Sequence, residues 1–237
     1  NAANQAISNG PKLTNFDQLR SSYMNIYDVS HSPEVVWNYD GGFYKSQFFQ
    51  GRSLTSGITH PYNISSEVIA LYERNDRRCD PSQYDNVYIS SSSTLCRYAS
   101  KNSYNNSYDG EHGVRMGEIY LNRAEGYART GDVTKAMADL NALRESRYRT
   151  GTYTPLEASN ADEALKQIIE ERRRELVWED GFRWIDIKRL GLSVTHVFID
   201  ASGNEATYIL PANSPLYALP IPQDAISKNK NLVQNPR

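Results

Sequence analysis

Charged residues are densest near residue 175, in the order Glu170-Glu171-Arg172-Arg173-Arg174-Glu175-Leu176, then Glu179-Asp180-Gly181-Phe182-Arg183-Trp184, then Asp186 and Arg189. Glu175 and Glu179 lie one helical turn apart, so their carboxylates can share a face. Paired carboxylates cleave glycosidic bonds when they flank a cleft and their pKa values are held apart. Here arginines crowd in. Glu171 with Arg174 and Arg172 with Glu175 are i,i+3 pairs, and Glu170 with Arg174 is an i,i+4 pair. A guanidinium lowers the pKa of a neighbouring carboxyl and works against a general acid. The stretch therefore reads as a structural ion network, with Arg172, Glu175, Glu179, Arg183 and Asp186 as members. Arg172 falls on an apolar face with Leu165, Ile168 and Leu176, where a bidentate pairing with Glu175 or Asp186 would satisfy it.

Other chemistry is sparse. His31, His60, His112 and His196 are scattered, with no HExxH spacing, and no CxxC pair exists. No metal site or cofactor is expected. Cys79 and Cys96 admit two readings, two free, half-buried thiols or a disulfide across the Ser/Tyr-rich loop between them. A loop of that length would gain about 3 kcal/mol in the chain-entropy model. Lys+Arg 26 against Asp+Glu 28 excludes a basic nucleic-acid footprint. No apolar run is long enough to span a bilayer. Tyrosine is in excess, 17 against 6 Phe and 3 Trp, alongside abundant Ser and Asn, the palette of a wet recognition surface.

The elements that would position these groups fall into three zones: a loop-rich part over 1–112, a helical part over 113–190, and short strands with a Pro-punctuated tail over 191–237. Ala2, Ala3, Ala6 and Ile7 read as the end of a helix stopped at Asn9-Gly10-Pro11, so the chain is read as a fragment that begins inside a helix of a longer protein. Phe16, Leu19, Tyr23 and Ile26 predict a short helix over 15–27, and Val35-Val36-Trp37 a strand. Ser65-Ser66-Glu67 opens a helical turn with Val68, Leu71 and Tyr72 on one face, and Val87-Tyr88-Ile89 reads as a strand. A helix is predicted over 114–130, with Gly131 at C′ and a small-residue stripe of Gly117, Leu121, Ala124 and Ala128. Asp132 caps the next helix, which carries Ala136, Met137, Leu140 and Leu143. So short a link makes an antiparallel hairpin, like one tetratricopeptide-type unit. Asn160 starts a third helix with Glu163 placed as in a capping box, and Gly181 is its expected stop.

At these residues the chain resembles a known family. Gly117-Glu118-Ile119-Tyr120-Leu121-Asn122-Arg123-Ala124-Glu125, Leu140-Asn141-Ala142-Leu143-Arg144, the charged motif, Leu219-Pro220-Ile221-Pro222-Gln223 and Asn231-Leu232-Val233-Gln234-Asn235-Pro236 follow in the order of the SusD/RagB family. Glu34-Val35-Val36-Trp37 and Asn75-Asp76-Arg77-Arg78 are similar to it upstream. Asp180 and Phe182 depart from the more usual Glu-Gly-Arg. The resemblance implies a mainly α fold, with tetratricopeptide-like hairpins beneath a loop-rich half that carries a few short strands. It also implies a lipid-anchored protein of the Bacteroidetes outer-membrane surface. Such a protein would be non-catalytic, would bind glycans, or in some members peptides, and would sit on a SusC-like TonB-dependent transporter.

Family motifs mark scaffold, so the ligand site must be argued from chemistry. A pyranose presents an apolar C–H face that stacks on aromatic rings and hydroxyls that seek polar side chains. The stretch around Trp37, Tyr39, Asp40, Phe43, Tyr44, Gln50, Arg52 and Tyr62 supplies both. Trp37 has a competing reading, half-buried packing beneath its strand. The Tyr84–Tyr108 stretch is a second, more dispersed candidate. Rival functions are peptide or host-glycoprotein binding on the same fold, a helical-repeat scaffold for protein partners, and a glycoside hydrolase using Glu175.

Overall fold

The computed structural model describes residues 2–19, 33–38, 65–80, 89–90, 100–101, 113–177, 179, 181–200 and 202–236. The chain is mainly α and divides into two compact units, 1–180 and 181–237. Among the described residues the strands form three two-stranded antiparallel ribbons.

In the first unit, helix α1 (Ala2–Asn9) ends as expected, with the Gly10 amide donating to the Ala6 carbonyl. Within the stretch predicted as a helix over 15–27, Phe16–Gln18 form a 3-10 turn and Leu19 is extended, while 20–27 lie outside the described residues. Local bonds explain the difference. The Asn15 side chain accepts from the Asp17 amide, and the Asp17 carboxylate accepts from the Thr150 amide. Phe16 is buried beneath the Arg147 guanidinium, 4.0 Å from its ring centroid. These contacts fix the turn to the scaffold. Tyr23 and Ile26 lie outside the described residues.

The scaffold is a helical hairpin with a third helix laid on it. Helix α3 (Met116–Arg129) packs against α4 (Val133–Glu145) and against α5 (Ala161–Glu175); a short helix α2 (Ser66–Ile69) precedes them in the chain. The hairpin turn follows the sequence reading. Gly131 takes a left-handed φ of 84°, and the Asp132 carboxylate accepts from the Lys135 amide. Leu121, Ala124 and Ala128 of α3 are buried, with Ala136, Leu140 and Leu143 of α4. Helix α3 begins two residues later than predicted, because Val114 and Arg115 belong to a strand, β4 (Gly113–Arg115). That strand pairs with β1 (Val35–Asn38), and a backbone partner held them extended against local helix propensity. Helix α5 is capped by the Asn160 carboxamide, which accepts from the Glu163 amide, while the Glu163 carboxylate accepts from the amide and hydroxyl of Ser159. It stops at Glu175, well before Gly181. Gly181 instead precedes the next helix, so the expected terminator is a starter. Between β1 and β4 in the chain, β2 (Ile89–Ser90) pairs with β3 (Ser100–Lys101); Val87 and Tyr88 lie outside the described residues.

In the second unit, helix α6 (Phe182–Leu190) ends on Gly191 at φ 62°, a left-handed stop. The hairpin β5 (Val194–Ile199) and β6 (Glu205–Leu210) follows. Its turn is organised by the Asp200 carboxylate, which accepts from the Ser202 and Asn204 amides at 2.8 Å each. After helix α7 (Gln223–Lys228) the tail folds back. Gln234 Oε1 accepts from the Ile221 amide at 2.8 Å, its Nε2 donates to the Ile221 carbonyl, and Asn235 Nδ2 donates to the Leu219 carbonyl. The two terminal sequence motifs are therefore halves of one clasp. Among the described residues no helix is long and apolar enough to cross a membrane.

Candidate functional site

The first part of the charged motif lies at the centre of the first unit. Glu175 ends α5 and is fully buried. Its carboxylate is shared by arginines from three places in the chain. Arg78 Nη1 donates to Oε2 at 2.8 Å, Arg147 Nη2 to Oε1 at 2.8 Å, and Arg115 Nη1 also to Oε1. Each arginine is held further. Arg78 grips Asp76 in a fork at 2.9 and 2.8 Å and reaches Glu171. Arg115 grips Glu179 in a second fork at 2.9 and 2.8 Å and donates to the Glu175 carbonyl. Arg144 and Arg174 both donate to Glu171 Oε2, at 2.7 and 2.9 Å. Planar guanidinium forks match carboxylates two bonds at a time.

Burial alone raises a carboxyl pKa, because the charged form loses its water. At Glu175 the charges of Arg147, Arg115 and Arg78 overcome that penalty and hold the group well below the usual range. At Glu171 burial also opposes ionisation, yet Arg78, Arg174 and Arg144 bring the pKa down to about 2. At Asp76 burial wins over Arg78 and the pKa is raised. A glycosidase acid must stay protonated near neutral pH and meet substrate. Glu175 does neither, and Glu175 and Glu179 are closed off together on Arg115. Their arrangement is that of a structural ion network.

Gly117 is part of this arrangement. A Cβ there would sit 2.6 Å from Arg115 Nη1, 2.6 Å from Glu175 Oε1 and 3.0 Å from Arg147 Nη2. In the sequence it stands in the small-residue stripe of α3. In the structure the missing side chain leaves room for the guanidiniums.

The network reaches the chain segment that carries Trp37 through Glu34, which is fully buried. The Glu34 carboxylate accepts from Arg115 Nη1 at 3.0 Å, Arg147 Nη2 at 3.0 Å and the Thr14 amide at 3.0 Å. Its carbonyl accepts from the Met116 amide at 2.9 Å, satisfying the first donor of α3. From this root β1 runs antiparallel to β4, with Val35 opposite Arg115 and Trp37 opposite Val114. Two residues advance on β1 for one on β4, which is a bulge. A bulge breaks strict alternation, and Val36 and Trp37 are both exposed, at 45% and 57%. Of the two readings for Trp37, burial beneath the strand is not what is found.

The sequence-predicted residues are placed as follows. Glu175 and Glu179 meet on Arg115. Arg172 Nη1 donates to Asn122 Oδ1 at 2.7 Å, a partner on α3. Asp186 lies in the second unit, where Arg189 Nε donates to it at 2.7 Å, and Arg183 is half-buried on α6. Tyr39, Asp40, Phe43, Tyr44, Gln50, Arg52 and Tyr62 lie outside the described residues, as does most of the Tyr84–Tyr108 stretch. Cys79 is buried, and Cys96, with any bridge between them, lies outside the described residues. Among the described residues no group of His, Cys, Asp or Glu is gathered as a metal would need. Sequence reasoning missed Arg115, Arg144 and Arg147. A signal existed for one of them, since Arg144 stands four residues after Leu140 and continues the buried stripe of α4.

Comparison with known proteins agrees with this scaffold. A model of the SusD family matches residues 8–237. A search of curated proteins found no match. Among solved structures, a SusD-like carbohydrate-binding protein from Bacteroides vulgatus aligns at TM-score 0.60 and 18% identity, over 97% of this chain and 54% of its own. A SusD superfamily protein from Bacteroides thetaiotaomicron aligns at TM-score 0.66 and 20% identity, over 98% and 51%. A SusD-like protein from Bacteroides fragilis aligns at 0.59 and 16%, over 99% and 60%. The present chain thus spans only part of the length of these solved proteins.

Proposed function

The chain belongs to the SusD family, and on that premise we propose that it binds glycan without catalysis and passes it to a TonB-dependent, SusC-like transporter at the outer-membrane surface, held there by a lipid anchor outside the present sequence. The observation that carries this reading is Trp37. A tryptophan 57% exposed on a strand rooted in a buried ion network is a rigid apolar plate. The next residues in sequence are those a sugar would use, Tyr39, Phe43, Tyr44 and Tyr62 for ring stacking and Asp40, Gln50 and Arg52 for hydroxyls. Carbohydrate binding is also the printed description of the aligned Bacteroides vulgatus protein, which supports the ligand class. The exchange of charge within the network leaves Glu175 unsuited to hydrolysis, so binding is the favoured class.

The test is a glycan array run beside a peptide pull-down, followed by calorimetry on the Tyr39→Ala/Tyr44→Ala double variant. Glycan capture, weakened in a folded double variant, supports the reading. Capture of peptide and not glycan moves the function to the rival binding class. Unchanged affinity in the double variant moves the site away from this stretch.

A further inference from the structure

We propose that Glu34 is a positioning residue: through Arg115 and Arg147 it fixes the orientation in which Trp37 meets a sugar ring. The proposal rests on the glycan-binding reading above and assigns the device that makes its aromatic plate rigid.

Three observations carry it. Glu34 is only three residues from Trp37 and is tied at both ends. Its carboxylate is held by two guanidiniums and the Thr14 amide, and its carbonyl by the first amide of α3. Secondly, the same Arg115 that holds Glu34 lies in β4, the only strand paired with β1 among the described residues, and Val35 is its register partner. A single side chain thus braces the strand pair from within. Thirdly, the bulge between Val35 and Trp37 turns the indole outward, a device that re-aims a side chain at a defined place. An aromatic contact fixed before ligand arrives loses less freedom on binding. A buried charge triad is an unnecessary way to anchor an ordinary loop, since apolar packing of the same volume serves stability as well. It does supply directional bonds that specify one geometry.

The test uses the whole chain, with Trp178→Phe and Trp184→Phe making Trp37 the sole indole. Glu34→Gln keeps volume and removes the charge, while Arg115 and Arg147 keep Glu175. Without ligand, Trp37 fluorescence anisotropy is expected to fall while far-ultraviolet dichroism stays unchanged. Affinity is then measured by calorimetry against hexasaccharides of β1,4-glucan, β1,4-xylan, β1,4-mannan and α1,4-glucan. For whichever of these binds the parent, Glu34→Gln is expected to weaken binding about tenfold, the loss of one pre-organised contact. Glu34→Asp, which keeps the charge, is expected to recover part of both signals, and it replaces Glu34→Gln if the latter does not fold. Unchanged anisotropy and affinity in the folded Glu34 variants, with binding still lost in Trp37→Ala, overturn the positioning role and leave glycan binding standing. Binding unaffected in Trp37→Ala overturns the positioning role and moves the site away from Trp37, and a parent chain that binds none of the glycans overturns the glycan-binding reading itself.

Discussion

Gly117→Ala is expected to destabilise the protein at a position where alanine would ordinarily strengthen it. In a helix interior alanine is favoured over glycine by about 1 kcal/mol. At Gly126, on the same helix, nothing lies within 4 Å of an added Cβ, and Gly126→Ala should gain about 0.5–1 kcal/mol. At Gly117 the added carbon would sit 2.6 Å from both Arg115 Nη1 and Glu175 Oε1. These are tips of long side chains, which elsewhere would swing aside. Here the Arg115 and Glu175 side chains are 1% and 0% exposed, and each is locked by several partners. Moving either one breaks a buried ion pair, which costs about 3–5 kcal/mol. After the propensity gain, a net loss of about 2–4 kcal/mol remains. Urea unfolding followed by dichroism at 222 nm reads both variants in one series. The expected midpoints move in opposite directions, up for Gly126→Ala and down for Gly117→Ala. Equal upward shifts would refute the claim that Gly117 exists to admit the guanidiniums.

Further expectations follow from the same network. Glu175→Gln strips the shared charge from Arg78, Arg115 and Arg147 and should cost about 3–5 kcal/mol; Glu67→Gln, which loses a surface pair with Arg173, should cost under about 1 kcal/mol, and similar melting losses for the two would contradict the network's central role. Acid should weaken the first unit. Glu171 falls from 4.5 to about 2 on folding, so its contribution is complete above pH 4.5 and is lost as pH drops through 2, about 3 kcal/mol in all. Asp76, raised by burial, works in the opposite direction between its ordinary and its folded pKa and offsets part of this. Urea midpoints from pH 7 to 2.5 should fall for the parent and fall less for Glu171→Gln; parallel profiles would contradict the assignment. At Gly191 the φ of 62° and an Asn213 Oδ1 placed 2.1 Å from an added Cβ make Gly191→Ala destabilising, and Asn213→Ala in the same chain should restore the steric share but not the backbone strain. Full restoration would refute the left-handed stop.

Legibility of the fold followed the range of the forces. The α3–α4 hairpin was readable because its signals are local: the Leu121–Ala124–Ala128 stripe, Gly131 at positive φ and the Asp132 cap lie within a few turns of one another. Asn160 was readable for the same reason. Val114 and Arg115 were misread as helix because their strand state depends on Val35 and Trp37, far away in sequence. The 3-10 turn at Phe16 depends likewise on Arg147 and Thr150. In the charged motif, neighbours along α5 account for the pairs from Arg174 to Glu170 and Glu171, at 2.7 and 2.9 Å. They do not account for Glu175, whose named partners come from residues 78, 115 and 147. Spacing rules see one helix, and this network is built across several segments. The stripe that was expected on α5 is also shifted, since Glu171 and Glu175 occupy buried positions beside Ala164 and Ile168. A carboxylate counts as polar in any periodicity, yet here it is core.

The most direct test of glycan binding at the bulged strand is calorimetric titration of the hexasaccharide panel into the parent chain and into Trp37→Ala. The expected result is saturable heat with at least one glycan for the parent and a loss of about 1–3 kcal/mol of binding free energy for Trp37→Ala, the scale of one removed stacking platform. Saturable binding of equal strength in both proteins, or heat with none of the glycans, would contradict it.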